Sequence, residues 1–289
     1  MRFLNLLGML LPLLAQVLAA SASAQERPTR IVSLNMCTDQ LVLALADPEQ
    51  IVGLSRFAGD ARLSFAAVQA APYPQLPAAA EAVIALEPDL VVAGRFTNSA
   101  TKQMLVRFGY RLEEVAFVRS LEEARTVISE MAVLLGHPQR GADLIAQIDR
   151  ALDEARATPS LTALIVQRRG YTTGTASLTG DLLAQLGIQL ASELMVGARG
   201  GFADLETIIR AQPDLLILAS LDASVEDQGS ALLAHPALSE RYPDSRRMAL
   251  PERLTLCAGP SLIEAIDHIA RERDAAQERL STMDNAADG

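Results

Sequence analysis

Leu76-Pro-Ala-Ala-Ala-Glu81-Ala-Val-Ile-Ala-Leu-Glu-Pro88-Asp89-Leu-Val-Val-Ala93 and Phe202-Ala-Asp-Leu-Glu206-Thr-Ile-Ile-Arg-Ala-Gln-Pro213-Asp214-Leu-Leu-Ile-Leu218 are two copies of one unit. Glu206 follows Glu81 by 125 residues, and Pro213 follows Pro88 by the same interval. Each copy reads as a short helix with the glutamate in its first turn, followed by a proline that stops the helix because it lacks an N–H and clashes with the preceding turn. The aspartate after it opens an unbroken apolar run, the pattern of a strand buried on both faces. A duplicated helix-Pro-Asp-strand unit predicts two similarly built lobes.

Outward from these units, strand and helix patterns alternate. Residues 30–34 predict a strand, 38–46 a helix, 51–54 a strand, 90–93 a strand and 99–108 a helix. The second half repeats the theme with strands at 161–166, 215–219 and 247–250 and a helix at 178–186. This alternation predicts an α/β fold of two lobes, each a parallel sheet flanked by helices. Between the halves, Leu121, Ala124, Ile128, Met131 and Leu135 recur at helical spacing, and Leu144, Ile148 and Leu152 do so after His137-Pro138. A helix over 138–158 would be roughly 30 Å long at 1.5 Å per residue, enough to join both lobes as a stiff connector. The expected division is therefore a lobe over 28–137, the connector over 138–158 and a second lobe over 159–281. Residues 282–289 lack apolar periodicity and are expected to be disordered.

The N-terminus bounds the compartment. Arg2, a leucine-rich stretch and Ala22-Ser23-Ala24 form the charged, apolar and small-x-small regions of a cleaved signal peptide over 1–24. No cysteine follows the apolar stretch, so a lipid anchor is not expected, and the mature chain is expected in the periplasm as a soluble monomer. A length of 289 residues accommodates two cores, and 50% hydrophobic with 21% charged residues is ordinary for a globular protein. The formal charge of −10 argues against nucleic acid and acidic membranes as partners.

The opening Arg30-Ile-Val-Ser-Leu-Asn-Met-Cys-Thr-Asp39, the paired Pro-Asp units, the helical connector and the closing Leu256-Cys-Ala-Gly-Pro260 occur in an order that resembles the periplasmic substrate-binding proteins of ABC importers for iron-siderophores, haem and vitamin B12. The resemblance covers nearly the whole mature chain. It implies two lobes around a ligand cleft, joined by one long helix, and delivery of a metal chelate to an ABC permease and, through it, to the ATPase. It also implies that Glu81 and Glu206, one per lobe, pair with permease arginines. A carboxylate in a first helical turn also complements the helix dipole by about 0.3–1 kcal/mol, so these glutamates have a local role as well. Ala79 stands where Asp204 caps the second copy, so the first helix is expected to fray more easily.

Ligands of open α/β sheets bind beyond the carboxyl ends of the strands. The loops there contain Asn35, Arg56, Phe57, Arg95, Phe96, Arg168, Tyr171, Arg199 and Phe202. Arginine beside an aromatic ring suits a large, partly planar, anionic chelate through bidentate hydrogen bonds and stacking. Vitamin B12 would want broad apolar walls, whereas an anionic ferric siderophore would use the arginines, and the balance leans to the siderophore. Haem is less expected, since among these loops only Tyr171 offers an axial ligand. The chain has no tryptophan, a residue that relatives often use to line the cleft.

Cys37 and Cys257 are the only cysteines, and both fall in loops at the cleft. An oxidising compartment favours a disulfide between them. Two free thiols at helix starts that contact the chelate, or two small buried hydrophobes in separate lobes, remain open alternatives.

A catalytic reading lacks residues. G-x-S-x-G, G-x-x-x-x-G-K-[ST], H-E-x-x-H and a strand-following G-x-G-x-x-G are all missing. His137 and His235 precede prolines at helix boundaries and His268 lies in the last helix, so no histidine metal site is expected, and no cofactor. An envelope sensor that binds a ligand without transporting it remains the alternative to an importer component.

Overall fold

The computed structural model describes residues 27–218, 232–233 and 235–287. The expected signal peptide lies outside the described residues, as does Ala219 at the end of an expected strand.

The first lobe runs β1 (Ile31–Ser33), α1 (Met36–Leu45), β2 (Ile51–Ser55), α2 (Ala67–Ala70), β3 (Gln75–Leu76), α3 (Ala80–Ile84), β4 (Leu90–Gly94), α4 (Ser99–Arg107), β5 (Leu112–Val115) and α5 (Leu121–Leu134). The connector α6 spans Pro138–Ala155. The second lobe runs β6 (Leu161–Ile165), β7 (Tyr171–Thr172), α7 (Leu178–Gln185), β8 (Ile188–Leu190), α8 (Glu193–Val196), β9 (Gly201–Phe202), α9 (Leu205–Ala211), β10 (Leu215–Leu218), α10 (Pro236–Arg241), β11 (Arg247–Ala249), α11 (Glu252–Thr255) and α12 (Ser261–Ala287).

The first sheet has the order β3-β2-β1-β4-β5 and the second β11-β10-β6-β8, with every pairing parallel. Read from the opposite end, β8-β6-β10-β11 repeats β2-β1-β4-β5, so the duplication seen in the sequence extends to topology. It extends to chemistry too. Asp89 accepts from the Thr29 amide (2.7 Å), the Thr29 hydroxyl (2.7 Å) and the Arg30 amide (3.0 Å), pinning the start of β1 to the start of β4. Asp214 accepts from the Thr162 amide (2.8 Å) and hydroxyl (2.7 Å), doing the same for β6 and β10. Glu87 and Gln212, each preceding its proline, are both left-handed with φ 46°. That conformation turns the chain sharply out of α3 and α9 into the strands.

Alternation along the strands builds two-faced sheets. Leu215 and Ile217 enter a core shared by both lobes, whereas Leu216 and Leu218 pack on the other face with Ile208 and Tyr242. In the first lobe, Ile31 joins the shared core and Val32 and Leu34 face Val83 and Leu105. The shared core passes through α5, α6 and α12, so it is continuous from one sheet to the other. The connector is tied at both ends. Arg140 donates to Leu45 O (3.0 Å) and Asp47 (2.6 Å) in the first lobe, and the buried Arg273 of α12 donates to Ala155 O (2.9 Å) and Leu186 O (3.0 Å) in the second. Arg125 holds α5 to α6 through Asp149 at 2.6 Å.

One expectation needs correction. The segment 282–289, expected to be disordered, is helical through Ala287, because α12 is already nucleated on α6 and each added residue contributes one more helical bond. The glycine-rich 197–202 is a structured turn: Gly197 (φ 80°) caps α8, and Gly201–Phe202 pairs antiparallel with Tyr171–Thr172. Among the described residues no helix is long and apolar enough to cross a membrane.

Beneath the start of α1 lies a buried acid. Asp39 is fully buried, accepting from the Ser55 hydroxyl (2.5 Å) and amide (3.1 Å). Burial pushes its carboxyl up to about 6, while hydrogen bonds from Ser33 and Ser55 pull the other way. Because the native pKa lies above the ordinary 3.8, the native state binds the extra proton between about pH 4 and 6. Asp39 therefore favours folding below that window. It loses about 3 kcal/mol of that support as pH rises through it, since each pH unit between the two pKa values is worth about 1.36 kcal/mol. Asp39→Asn is expected to gain relative to the parent from pH 4 to 7; urea unfolding at both pH values measures the difference, which should be flat if Asp39 does not titrate there.

Candidate functional site

The carboxyl ends of β1 and β4, where strand order reverses, open onto a cavity of about 140 Å³ between the lobes. Asn35, Cys37, Thr38 and Leu41 of the N-terminal part of α1 and its cap, Gly94 to Phe96 at the end of β4, and Val115 to Val118 at the end of β5 line it from the first lobe, with Val127 of α5. Leu178 at the start of α7, Leu256 and Ala258 line it from the second.

Each lining segment is fixed by local chemistry. The Asn35 side chain caps α1 by accepting from the Cys37 amide at 2.9 Å. Gly94 makes room for it: a Cβ there would lie 2.8 Å from Asn35 Cγ, so a larger residue would displace the cap. Thr97 Oγ1 accepts from the Gly94 amide at 3.1 Å, and Lys102 Nζ donates to Arg95 O at 3.2 Å while ion-pairing with Glu114. The sole lysine of the chain thus holds the Arg95-Phe96 loop against β5. Phe96, 77% exposed, meets Phe117 edge-on at 5.5 Å between centroids, and Arg119 lies 5.5 Å from the Phe117 ring.

The expected site residues divide into three groups. Asn35, Cys37, Arg95 and Phe96 line the cavity. Arg56 and Phe57 follow β2 outside the cavity lining, exposed and stacked on each other at 4.6 Å, with the Phe57 amide donating to Ser55 Oγ at 3.3 Å. Arg168, Tyr171, Arg199 and Phe202 form a separate group around the short antiparallel β7–β9 pair, which hangs from the end of β6 through the Val166–Thr172 bridge; Tyr171 and Phe202 stack edge-on at 5.4 Å, and none of the four lines the cavity. Sequence reasoning missed Phe117 and its neighbours Val115 to Val118. The apolar run is visible in the sequence, but the strand before it is not.

Glu81 and Glu206 are exposed in the first turns of α3 and α9. Asp204 caps α9 by accepting from the Thr207 amide at 2.8 Å, whereas Ala79 gives α3 no side-chain cap. The expected histidine roles are structural: His137 and His235 stand at the starts of α6 and α10, and His268 contacts Ala249 O at 2.7 Å. Among the described residues no group of three or more His, Cys, Asp or Glu is placed to hold a metal ion.

Of the three readings for the cysteines, the structure selects the disulfide. Cys37 and Cys257 are bonded, with Cα atoms 5.0 Å apart and 220 residues between them. Cys37 is half-buried on the cavity side and Cys257 is buried.

The family model for periplasmic binding proteins matches residues 31–241. This chain belongs to that family. Its members are substrate-binding proteins that work with an ABC permease. Among solved structures, the apo periplasmic haem-binding protein RhuT from Roseiflexus sp. RS-1 is 26% identical, with a TM-score of 0.70 over 86% of this chain and 98% of that one. The periplasmic vitamin B12-binding protein BtuF of Vibrio cholerae is 14% identical, with a TM-score of 0.66 over 86% and 98%. A periplasmic haem-binding protein from Pseudomonas aeruginosa is 21% identical, with a TM-score of 0.66 over 84% and 91%. No curated protein sequence gives a significant match.

Thiol titration of the denatured, unreduced protein is expected to find no free thiol and, after reduction, two. Because the bridge closes a loop of 220 residues, reduction is expected to cost about 5 kcal/mol of stability in the chain-entropy picture; titration of two thiols before reduction would refute the bridge.

Proposed function

We propose that this chain is the periplasmic component of an ABC importer that captures a metal chelate and hands it to the permease. The observation that carries the reading is the cavity between the lobes, whose wall holds Arg95 and the edge-on Phe96–Phe117 pair. A wall that combines an arginine with two phenylalanine rings suits an anionic, partly planar chelate. Among the described residues lining the cavity there is no His, Tyr or Met, so the protein offers the metal no obvious donor. That supports a cargo whose metal arrives fully coordinated by its own ligand, a ferric siderophore first and a corrinoid second. Arg56, Phe57, Arg168, Tyr171, Arg199 and Phe202 add the same two chemistries on loops next to the strand ends. Haem is a second reading, favoured by the haem-binding neighbours; Tyr171 would be its axial oxygen ligand.

Delivery uses Glu81 and Glu206. Their matched positions on the two lobes, both exposed, give the permease two carboxylates for its arginines. Export by the expected signal peptide and action as a soluble monomer complete the reading.

A ligand that binds only the folded chain stabilises it by RT ln(1 + [L]/Kd), about 2.7 kcal/mol at 100 Kd, enough to raise Tm by several degrees. A ferric siderophore is expected to do so in a panel that also holds cyanocobalamin and haemin, and Arg95→Ala should remove most of the shift. A shift with only a sugar or an amino acid would overturn the ligand class; a haemin Soret change lost in Tyr171→Phe would move the assignment to haem. Glu81→Arg/Glu206→Arg is expected to cut uptake at least tenfold with ligand affinity within twofold of the parent, and full uptake by the double variant would refute the docking role.

A further inference from the structure

The bridge between Cys37 and Cys257 does more than close a loop, because of what surrounds it. Cys37, Thr38 and Leu41 on one side and Leu256 and Ala258 on the other all line the cavity, so the bridge joins two segments that wall the candidate site from different lobes. The contact next to it is tight. A Cβ on Gly259 would stand 3.3 Å from Leu41 Cδ2, so α1 and the segment before α12 are already in van der Waals contact. A further contact between the lobes is polar: the Leu121 amide at the start of α5 donates to Asp181 of α7 at 2.7 Å.

Lobes joined by α6 alone would be free to rotate and twist about that one connection, as hinged binding proteins do on ligand closure. A second covalent link with its Cα atoms 5.0 Å apart removes the twist and leaves rotation about the line from the bridge to α6. The wall containing Cys37 then stays nearly fixed while the rest of the cleft opens. With a cavity of about 140 Å³, against roughly 300–1,000 Å³ for sites that enclose drug-sized ligands, the width of that opening decides what fits.

We infer that the Cys37–Cys257 disulfide is a specificity-determining clasp, which limits how far the lobes part and so favours compact chelates over bulky ones. The inference rests on the cleft being the ligand site, as proposed above. The motion and the selection are separately measurable.

The test compares the oxidised mature chain with Cys37→Ser/Cys257→Ser and, should that variant fail to fold, with the folded parent reduced by dithiothreitol under native conditions and checked for two thiols. The first readout needs no ligand. Amide exchange at Leu121, whose bond crosses between the lobes, is expected to quicken at least tenfold when the clasp is cut, beyond any change at Val92 and Ile217 inside the two sheets. Exchange at Leu121 that stays unchanged, or rises only in step with Val92 and Ile217, would mean that the bridge merely stabilises the fold, and the inference would fall. The second readout is the ratio of affinities for ferric enterobactin, a compact anionic ferric chelate, and cyanocobalamin, a bulky corrinoid. Cutting the clasp is expected to shift that ratio at least fivefold toward cyanocobalamin, and an unchanged ratio would overturn the size limit. If neither probe binds either form, the chelate reading and the size limit built on it both fail, while exchange at Leu121 still decides the motion.

Discussion

Asp89 and Asp214 hold the two sheets in register, and the geometry of the cleft follows from that. Each carboxylate reaches across from the start of one central strand to the backbone and threonine hydroxyl at the start of its neighbour. Charge-assisted bonds of this kind are about twice as strong as neutral ones, and a side chain fixed by backbone amides leaves little room for a register slip. Because β1 and β4 start level, they also end close together, so that Asn35 and Arg95, one just past each strand, meet at the same cavity. The left-handed residues before the two prolines serve the same end: Glu87 and Gln212 turn the chain so that the aspartate arrives at the head of the strand. A conformation uncommon for residues with side chains is kept twice, at equivalent places, because the strand pairing depends on it.

The coupling between lobes has a different origin. Most of it is apolar, since the core runs without a break through α5, α6 and α12. Arginines finish the arrangement by satisfying helix ends: Arg273 takes the carbonyls of Ala155 and Leu186, where α6 and α7 stop, and Arg140 takes that of Leu45, where α1 stops. These are carbonyls that a helix leaves without partners, and each is met by a charge that also complements the negative end of the dipole. The lobes are thus joined by hydrophobic packing along the connector, by one covalent bond beside the cavity and by the Leu121–Asp181 hydrogen bond.

How much of this was readable in the sequence depended on how local the cause was. The Pro-Asp units were legible because a proline and an apolar run act on their immediate neighbours, and the connector because Leu144, Ile148 and Leu152 repeat along one face. β5 was not, since Leu112-Glu-Glu-Val115 is an edge strand whose half-exposed residues read as polar loop. Missing it hid Phe117, which belongs to the cavity only because a strand ends just before it. β8, with Gln189 exposed between two buried residues, was too short to stand out. Arg168 and Arg199 were found in the right kind of loop, but pairing of Tyr171 with Phe202 carries that loop away from the cavity lining, a tertiary event with no local signature. The cysteine pairing was readable only as one of three options, because it depends on how two lobes meet across 220 residues.

The buried Asp39 ties these observations together. A carboxylate placed where burial raises its pKa to about 6 is a poor choice for stability alone, since an apolar residue of similar size would avoid the desolvation. What it provides is position. Its bonds to Ser55 fix the end of β2, from which Ser55 in turn receives the Phe57 amide, so that the Arg56-Phe57 loop is set from below. On its own helix it lies two residues from Cys37 and one from Thr38, both in the cavity wall. The Thr38 hydroxyl is itself bonded to Ser33 at 2.7 Å, next to the end of β1. A single polar network therefore orients the start of α1, the anchor of the disulfide and one of the arginine-aromatic loops. Replacing Asp39 by an apolar residue would remove the desolvation cost and at the same time release the Ser55 hydroxyl and amide in a buried setting, a penalty of about 1–3 kcal/mol for each group left unsatisfied. The desolvation of one carboxylate is thus offset by the geometry it imposes on three segments of the cleft.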